Sequence, residues 1–155
     1  MTAKKYLQQI RLLDLKIDQK IQEKEDLLTR AEGRTAVSGD PNKVQTSRSA
    51  DGPMRHVDEA VDLEHDIDRL IDTYTTMRDR IINQIHELDD ARYVELLQLK
   101  YVGQRMKSGR MHYYRLEEIA CIMVKTNGQP YSYDHINQLH GEALREFSKC
   151  HGNAM

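Results

Sequence analysis

Two long stretches of the chain place apolar residues at alternating three- and four-residue steps, with charged residues between them. Tyr6, Ile10, Leu13, Ile17, Ile21 and Leu28 predict a helix over residues 1–32, with Thr2 as its N-cap and Gly33 as its stop. Val57, Val61, Ile67, Leu70, Tyr74, Met77, Ile81, Ile85 and Leu88 predict a second helix over residues 54–88, with a heptad-like stripe. Between them, residues 33–53 hold three of the eight glycines and two of the three prolines, and only Val37 and Val44 are large and apolar. That composition predicts a flexible linker, too polar to fold by itself. Neither helix can bury its stripe alone, so the pair is expected to close as an antiparallel hairpin. Stripes this long also recruit partners, which predicts a dimer through Ile10, Ile17, Ile21, Ile67, Tyr74 and Ile81. The simpler alternative is one hairpin packed on the C-terminal domain.

The pattern shortens after Leu88. Asp89 and Asp90 can cap a helix over residues 92–101, to which Leu96, Leu97 and Leu99 give an apolar side. Residues 103–113 read as a loop. Leu116, Ile119, Ala120 and Met123 form one stripe of a helix over residues 115–124, and residues 125–131 read as a turn. Ser132 then caps a helix to residue 149, with Ile136, Leu139, Ala143 and Phe147 inward. The expected fold is all-α: a long, coiled-coil-like helical hairpin over residues 1–88, followed by a helix-turn-helix domain over residues 89–155. Gly141, inside the last helix, is expected to mark close packing against another helix, and His140 beside it to pack rather than to bind metal.

Composition supports extended helices over one thick core, with 39% hydrophobic and 31% charged residues, one Phe and no Trp. The net charge of −2 excludes a generally basic coat. Its distribution is more informative. Residues 1–90 carry 14 Lys and Arg against 19 Asp and Glu, and residues 91–155 carry 9 against 6. Any contact with nucleic acid is therefore expected in the C-terminal part. The acidic run Asp58, Glu59, Asp62, Glu64, Asp66 and Asp68 lies in the N-terminal half of its helix, where negative charge is favourable, and reads as a solvated face rather than a metal site. The two cysteines make no disulfide framework, and Cys121 reads as a small buried hydrophobe. No stretch resembles a signal peptide or a membrane span, so a cytoplasmic protein without membrane contact is expected.

Enzyme chemistry finds no motif. There is no Gly-rich phosphate loop, no GxSxG, and no CxxC or HExxH pair. His135 and His140 are five apart and do not share a helix face. No catalytic residue, metal or cofactor is expected.

A helix-turn-helix reads DNA by setting the first turns of its second helix in the major groove. Behind the Ser132 cap, Tyr133, Asp134, His135, Asn137 and Gln138 are left on the outward face, as candidates for base edges. Asn and Gln can pair bidentately with adenine, and Asp can accept from a cytosine amino group. Arg105, Lys107, Arg110, Tyr114, Arg115, Lys125 and Ser132 are candidates for phosphate contact, because six basic residues between positions 91 and 115 face one acid, Glu95. The competing reading of both sets is an ordinary solvated surface.

Three blocks in order carry a resemblance. Glu95-Leu96-Leu97-Gln98-Leu99-Lys100-Tyr101, Leu116-Glu117-Glu118-Ile119-Ala120, and Ser132 with Ile136, Gln138-Leu139 and Ala143-Leu144-Arg145 resemble region four of the bacterial primary sigma factors. That resemblance implies binding to duplex DNA. Tyr133, His135 and Asn137 stand where that family has arginines, which argues against the ordinary −35 sequence as the target. The whole chain resembles the ArpU- and RinA-type late transcription regulators of phages and prophages. It does so through Tyr6-Leu7-Gln8-Gln9-Ile10, Asp51-Gly52-Pro53, and the ending from Tyr131-Ser132 to Ala143-Leu144. The resemblance implies control of phage late or packaging genes, most simply as an activator. The alternative is a protein-interaction module that uses the hairpin to bind RNA polymerase, a sigma factor or a phage component.

Overall fold

The computed structural model describes residues 1–35 and 51–152. The expected linker over residues 33–53 lies largely outside them. Mostly helical, the chain runs α1 (Ala3–Leu7), α2 (Gln9–Thr35), α3 (Asp51–His86), α4 (Ala91–Leu97), a π-helical turn (Gln98–Val102), strands β1 (Gln104–Arg105) and β2 (Met111–His112), α5 (Leu116–Ile122) and α6 (Tyr133–His151). It divides into two compact units, residues 1–12 with 74–155, and residues 13–73.

The helix expected over residues 1–32 is interrupted at Gln8, which stays in the helical basin (φ −69°, ψ −14°). Thr2 does cap it: its hydroxyl oxygen accepts from the Lys5 N–H at 3.4 Å. Gly33 does not stop α2, which continues to Thr35. At the other side, α3 begins at Asp51, inside the expected linker. Pro53 is tolerated there because first-turn N–H groups have no intrahelical partner to lose.

In the unit of residues 13–73, α2 and α3 run antiparallel. Lys24 Nζ lies 3.0 Å from Glu64 Oε1 and Lys20 Nζ 3.8 Å from Asp66 Oδ2, so position rises along one helix as it falls along the other. Part of the acidic run of α3 is thereby matched to lysines of α2. The seam buries Ile17 and Ala31 of α2, and Ala60, Leu63 and Ile67 of α3. Ile17 and Ile67 of the expected stripe lie in this seam, while four other expected positions lie off it. Val57 and Val61 are 40% and 47% exposed, and Ile21 and Leu28 are exposed as well. Ala60 is a weaker apolar signal than its neighbour Val61, so sequence spacing identifies Ile17 and Ile67 and misses Ala60 and Leu63.

The other unit has one continuous core. Tyr6, Leu7 and Ile10 meet Ile81, Ile85 and Leu88, then Leu96, Leu97, Tyr101 and Val102, then Ile119, Ala120, Met123, Ile136, Leu139, Ala143 and Phe147. The ends of both long helices thus complete the core of the C-terminal helices. Ile10 and Ile81, expected at a dimer seam, are fully buried here within one chain. Tyr74 is partly buried against the same core. Tyr6 also donates its hydroxyl to Gln84 Oε1 at 2.9 Å, satisfying two buried polar groups at once.

Candidate nucleic-acid interface

The candidate surface is built on α4, the hairpin, α5 and α6. Asp90 caps α4, accepting the Arg92 N–H at 2.9 Å, and its carboxylate also holds the Arg92 guanidinium at 2.6 Å. Hydrogen bonding from Arg92 keeps the Asp90 carboxyl below its ordinary range, with the cation's charge adding to the effect. Arg92 is therefore neutralised locally.

The chain leaves α4 through a π turn that closes when the Gly103 N–H donates to the Gln98 carbonyl at 2.9 Å. Gly103 has φ 71°, and a Cβ there would meet the His112 carbonyl oxygen at 2.6 Å. Both facts require glycine. The expected loop over residues 103–113 is instead a short antiparallel hairpin, Gln104 opposite His112 and Arg105 opposite Met111. Its tip turns at Gly109, with φ 83°. Arg105, Lys107 and Arg110 are all exposed on it. Tyr114 is partly buried and donates its hydroxyl to Gln104 Oε1 at 2.8 Å, bracing the base of the hairpin.

Arg115 is exposed at the N-cap of α5, and its N–H donates to Glu118 Oε2 at 2.6 Å. That bond lowers the Glu118 carboxyl, as does His112, whose Nε2 is 3.3 Å away. α5 ends at Ile122 and the backbone turns extended at Met123 (φ −72°, ψ 129°). Ile119, Ala120 and Met123 face the core, while Cys121 and Ile122 face solvent. The expectation of a buried Cys121 is corrected: a seven-residue helix has room for one inward stripe, and Cys121 lies off it. Both cysteines are free and exposed.

The connection to α6 is pinched by a bridge between Val124 and Pro130 and turns at Gly128, φ 78°. Lys125 Nζ sits 5.6 Å from the centroid of the Tyr131 ring. Ser132 caps α6, its Oγ accepting the His135 N–H at 3.3 Å. Ile136, Leu139, Ala143 and Phe147 are buried, as the spacing predicted. Tyr133, Asp134, His135, Asn137 and Gln138 are all exposed, Tyr133 by 46%. Two of these are partly positioned. The His135 ring meets Tyr131 edge-on at 5.0 Å, and Gln138 Nε2 donates to Glu142 Oε1 at 3.1 Å. Glu142 Oε2 in turn accepts from the Tyr93 hydroxyl at 3.4 Å.

His140 packs beneath this face, buried and hydrogen-bonded to Tyr101. Gly141 does not mark a close approach, since nothing lies within 4 Å of a Cβ built there.

The fold brings the candidates together in two groups, the first two turns of α6 and the hairpin with the α5 N-cap. It also brings in a residue that sequence reasoning passed over. Arg11 Cζ stands 5.7 Å from the centroid of the Tyr113 ring, at the base of the hairpin. No local sequence signal joins positions 11 and 113. Among the described residues, no helix is long and apolar enough to cross a membrane. No protein-family model, curated protein or solved structure matches the chain.

Proposed function

We propose that this chain is a sequence-specific, duplex-DNA-binding transcription regulator in which α5 and α6 act as a helix-turn-helix. One observation carries the reading. The first two turns of α6 hold Tyr133, Asp134, His135, Asn137 and Gln138 outward, while Ile136 and Leu139 fix the helix from behind. Such a face, at the N-terminal end of a helix packed on a shorter one, suits a major groove. Arg105, Lys107, Arg110 and Arg115 add exposed positive charge on the hairpin and at the α5 N-cap, suited to phosphates. The resemblance to the ArpU- and RinA-type regulators supports phage late or packaging genes as the target, with activation as the sign.

The test is a gel shift of the full chain on the intergenic DNA next to its own gene and on a random duplex, each titrated at several salt concentrations. Tighter binding to the neighbouring DNA, with affinity falling steeply as salt rises, supports the reading. Absence of binding to either duplex overturns it.

The exposed apolar residues of α2 and α3 favour a second reading. Ile21, Leu28, Val57, Val61 and Ile71 lie in the unit of residues 13–73 with large exposed fractions. Such a surface suits a protein partner, whether a second copy of this chain, RNA polymerase, a sigma factor or a phage component.

A further inference from the structure

The N-terminal segment belongs to the same compact unit as residues 74–155. Ala3, Tyr6, Leu7 and Ile10 are its buried anchors. Lys4 and Arg11 alternate with those anchors and are exposed. Arg11 lies over the Tyr113 ring, and Tyr113 immediately precedes Tyr114, whose N–H donates to the Leu99 carbonyl at 3.2 Å. The π turn carrying Leu99 and Lys100 is thus tied to the segment that Arg11 covers. Lys100 is half-buried there, between buried Leu97 and Tyr101.

These cations crowd one another. Burial holds the Lys100 ammonium below its ordinary range, and the charges of Lys4 and Arg11 push it the same way, against one opposing acid, Glu117. His140 feels Lys100 and Lys4 as well. None of Lys4, Arg11 and Lys100 forms an ion pair among the described residues. The charges of Lys4 and Arg11 act against that of Lys100, Glu117 being the one acid that opposes them, and an external polyanion relieves such repulsion.

We infer that Lys4, Arg11 and Lys100 form a second phosphate-contacting surface for duplex DNA, continuous with the hairpin base and the N-terminal end of α5. The inference rests on the DNA-binding reading and extends it to Lys4 and Arg11, which precede the C-terminal domain by some 80 positions. In a helix-turn-helix the first helix crosses the sugar-phosphate backbone. α5 begins three residues after Tyr113, so Arg11, over the Tyr113 ring, lies next to the entry of the helix that would cross the backbone. The guanidinium of Arg11, with one face on an aromatic ring, keeps its N–H edge for a phosphate oxygen.

The experiment titrates the full chain with random duplex over a range of salt, comparing wild type with Lys4→Gln/Arg11→Gln and with Lys107→Gln/Arg110→Gln. Each lost phosphate contact makes the log–log salt dependence shallower by about 0.9, so the first pair is expected to lose up to about 1.8 in slope. The charge-keeping pair Lys4→Arg/Arg11→Lys is expected to retain the wild-type slope. A folded Lys4→Gln/Arg11→Gln variant with wild-type affinity and slope overturns the inference. If Lys107→Gln/Arg110→Gln is weakened alone, the DNA-binding reading survives and the second surface falls. If the wild type binds no duplex, both fall. Lysine acetylation of the wild type, read by mass spectrometry with and without duplex, needs no variant. Protection of Lys4 and Lys100 by DNA is expected, and unchanged labelling of both overturns the inference.

Discussion

Tyr101 and His140 share a buried hydrogen bond, Oη to Nε2, at 2.9 Å, with their rings stacked at 5.9 Å between centroids. The pair joins the π turn to the middle of α6, where two unpartnered polar groups would otherwise be costly. Burial pushes the Tyr101 hydroxyl up to about 12 and drives the His140 imidazole down to about 4, with Lys100 and Lys4 adding to the second shift. His140 is therefore folded in as a neutral ring. The unfolded chain binds a proton there near 6.5 and the folded chain only near 4. Stability is complete above pH 6.5 and is lost as pH falls toward 4, by up to about 3 kcal/mol. Urea unfolding at pH 7.5 and pH 5 measures this. In His140→Gln the drop between those two values should shrink, and an undiminished drop would show that another group is responsible.

Residues 89–155 are not expected to fold alone. Removing residues 1–88 strips Tyr6, Leu7, Ile10, Ile81, Ile85 and Leu88 from the core that also holds Leu96 and Phe147. Within the full chain, Leu7→Ala and Ile85→Ala should each cost about 2–5 kcal/mol, the range for emptying a fully buried aliphatic site. Circular dichroism of the 89–155 fragment should show no cooperative melt. A sharp melt like that of the full chain would mean the N-terminal residues are dispensable to this core.

Local chemistry was legible in the sequence, and pairing between distant segments was not. The caps at Thr2, Asp90 and Ser132 depend on a side chain and the next few N–H groups, and all three form. The inward face of α6 follows from spacing within one helix. The α2–α3 seam depends on which stripes meet, and Ala60 gives too weak a signal to declare itself. Two-residue strands are too short for alternation to reveal the hairpin. Cys121 is exposed because it lies off the one inward stripe of α5, although its neighbours in sequence are apolar. The approach of Arg11 to Tyr113 is set by the burial of Tyr6, Leu7 and Ile10, which periodicity shows as a stripe without naming its destination.

The glycines separate by geometry. Gly103→Ala must fit a Cβ 2.6 Å from a backbone oxygen at positive φ, so the hairpin base has to move. It should destabilise by well over the roughly 1 kcal/mol expected of Gly109→Ala, where φ is 83° but the space is open. Gly141→Ala should stabilise by about 0.5–1 kcal/mol, because the position is helical and nothing lies within 4 Å. Thermal melts of the three variants give the order. A destabilising Gly141→Ala would mean that a partner needs that space.

Apolar positions on α2 and α3 should divide into two behaviours. Ile67→Asp puts a charge in the buried seam and should unfold the unit of residues 13–73. Val57→Asp with Val61→Asp changes an exposed face and should leave the melt within about 1 kcal/mol of wild type. If the wild type self-associates through this face, sedimentation should show the double variant as a folded monomer. A wild type that is monomeric at micromolar concentration removes the dimer and leaves other protein partners for this face.

The outward face of α6 should set sequence preference. Asn137 and Gln138 lie one and two residues past the buried Ile136, on the first turns after the Ser132 cap, the part of a reading helix that enters the groove. Asn137→Ala should cost about 1–3 kcal/mol on the preferred site, the scale of one bidentate base contact, and little on random DNA. Gln138 differs because Glu142 already accepts from its amide at 3.1 Å. That bond orients the amide and leaves its carbonyl oxygen to accept from an adenine amino group. Glu142→Gln should therefore weaken discrimination through Gln138 without touching a base itself, and adding Glu142→Gln to Gln138→Ala should cost little more. The comparison needs preferred and random duplexes titrated in parallel. If Asn137→Ala and Gln138→Ala both leave the preferred-to-random ratio unchanged, these residues do not read the sequence, and the protein-interaction reading becomes the stronger one.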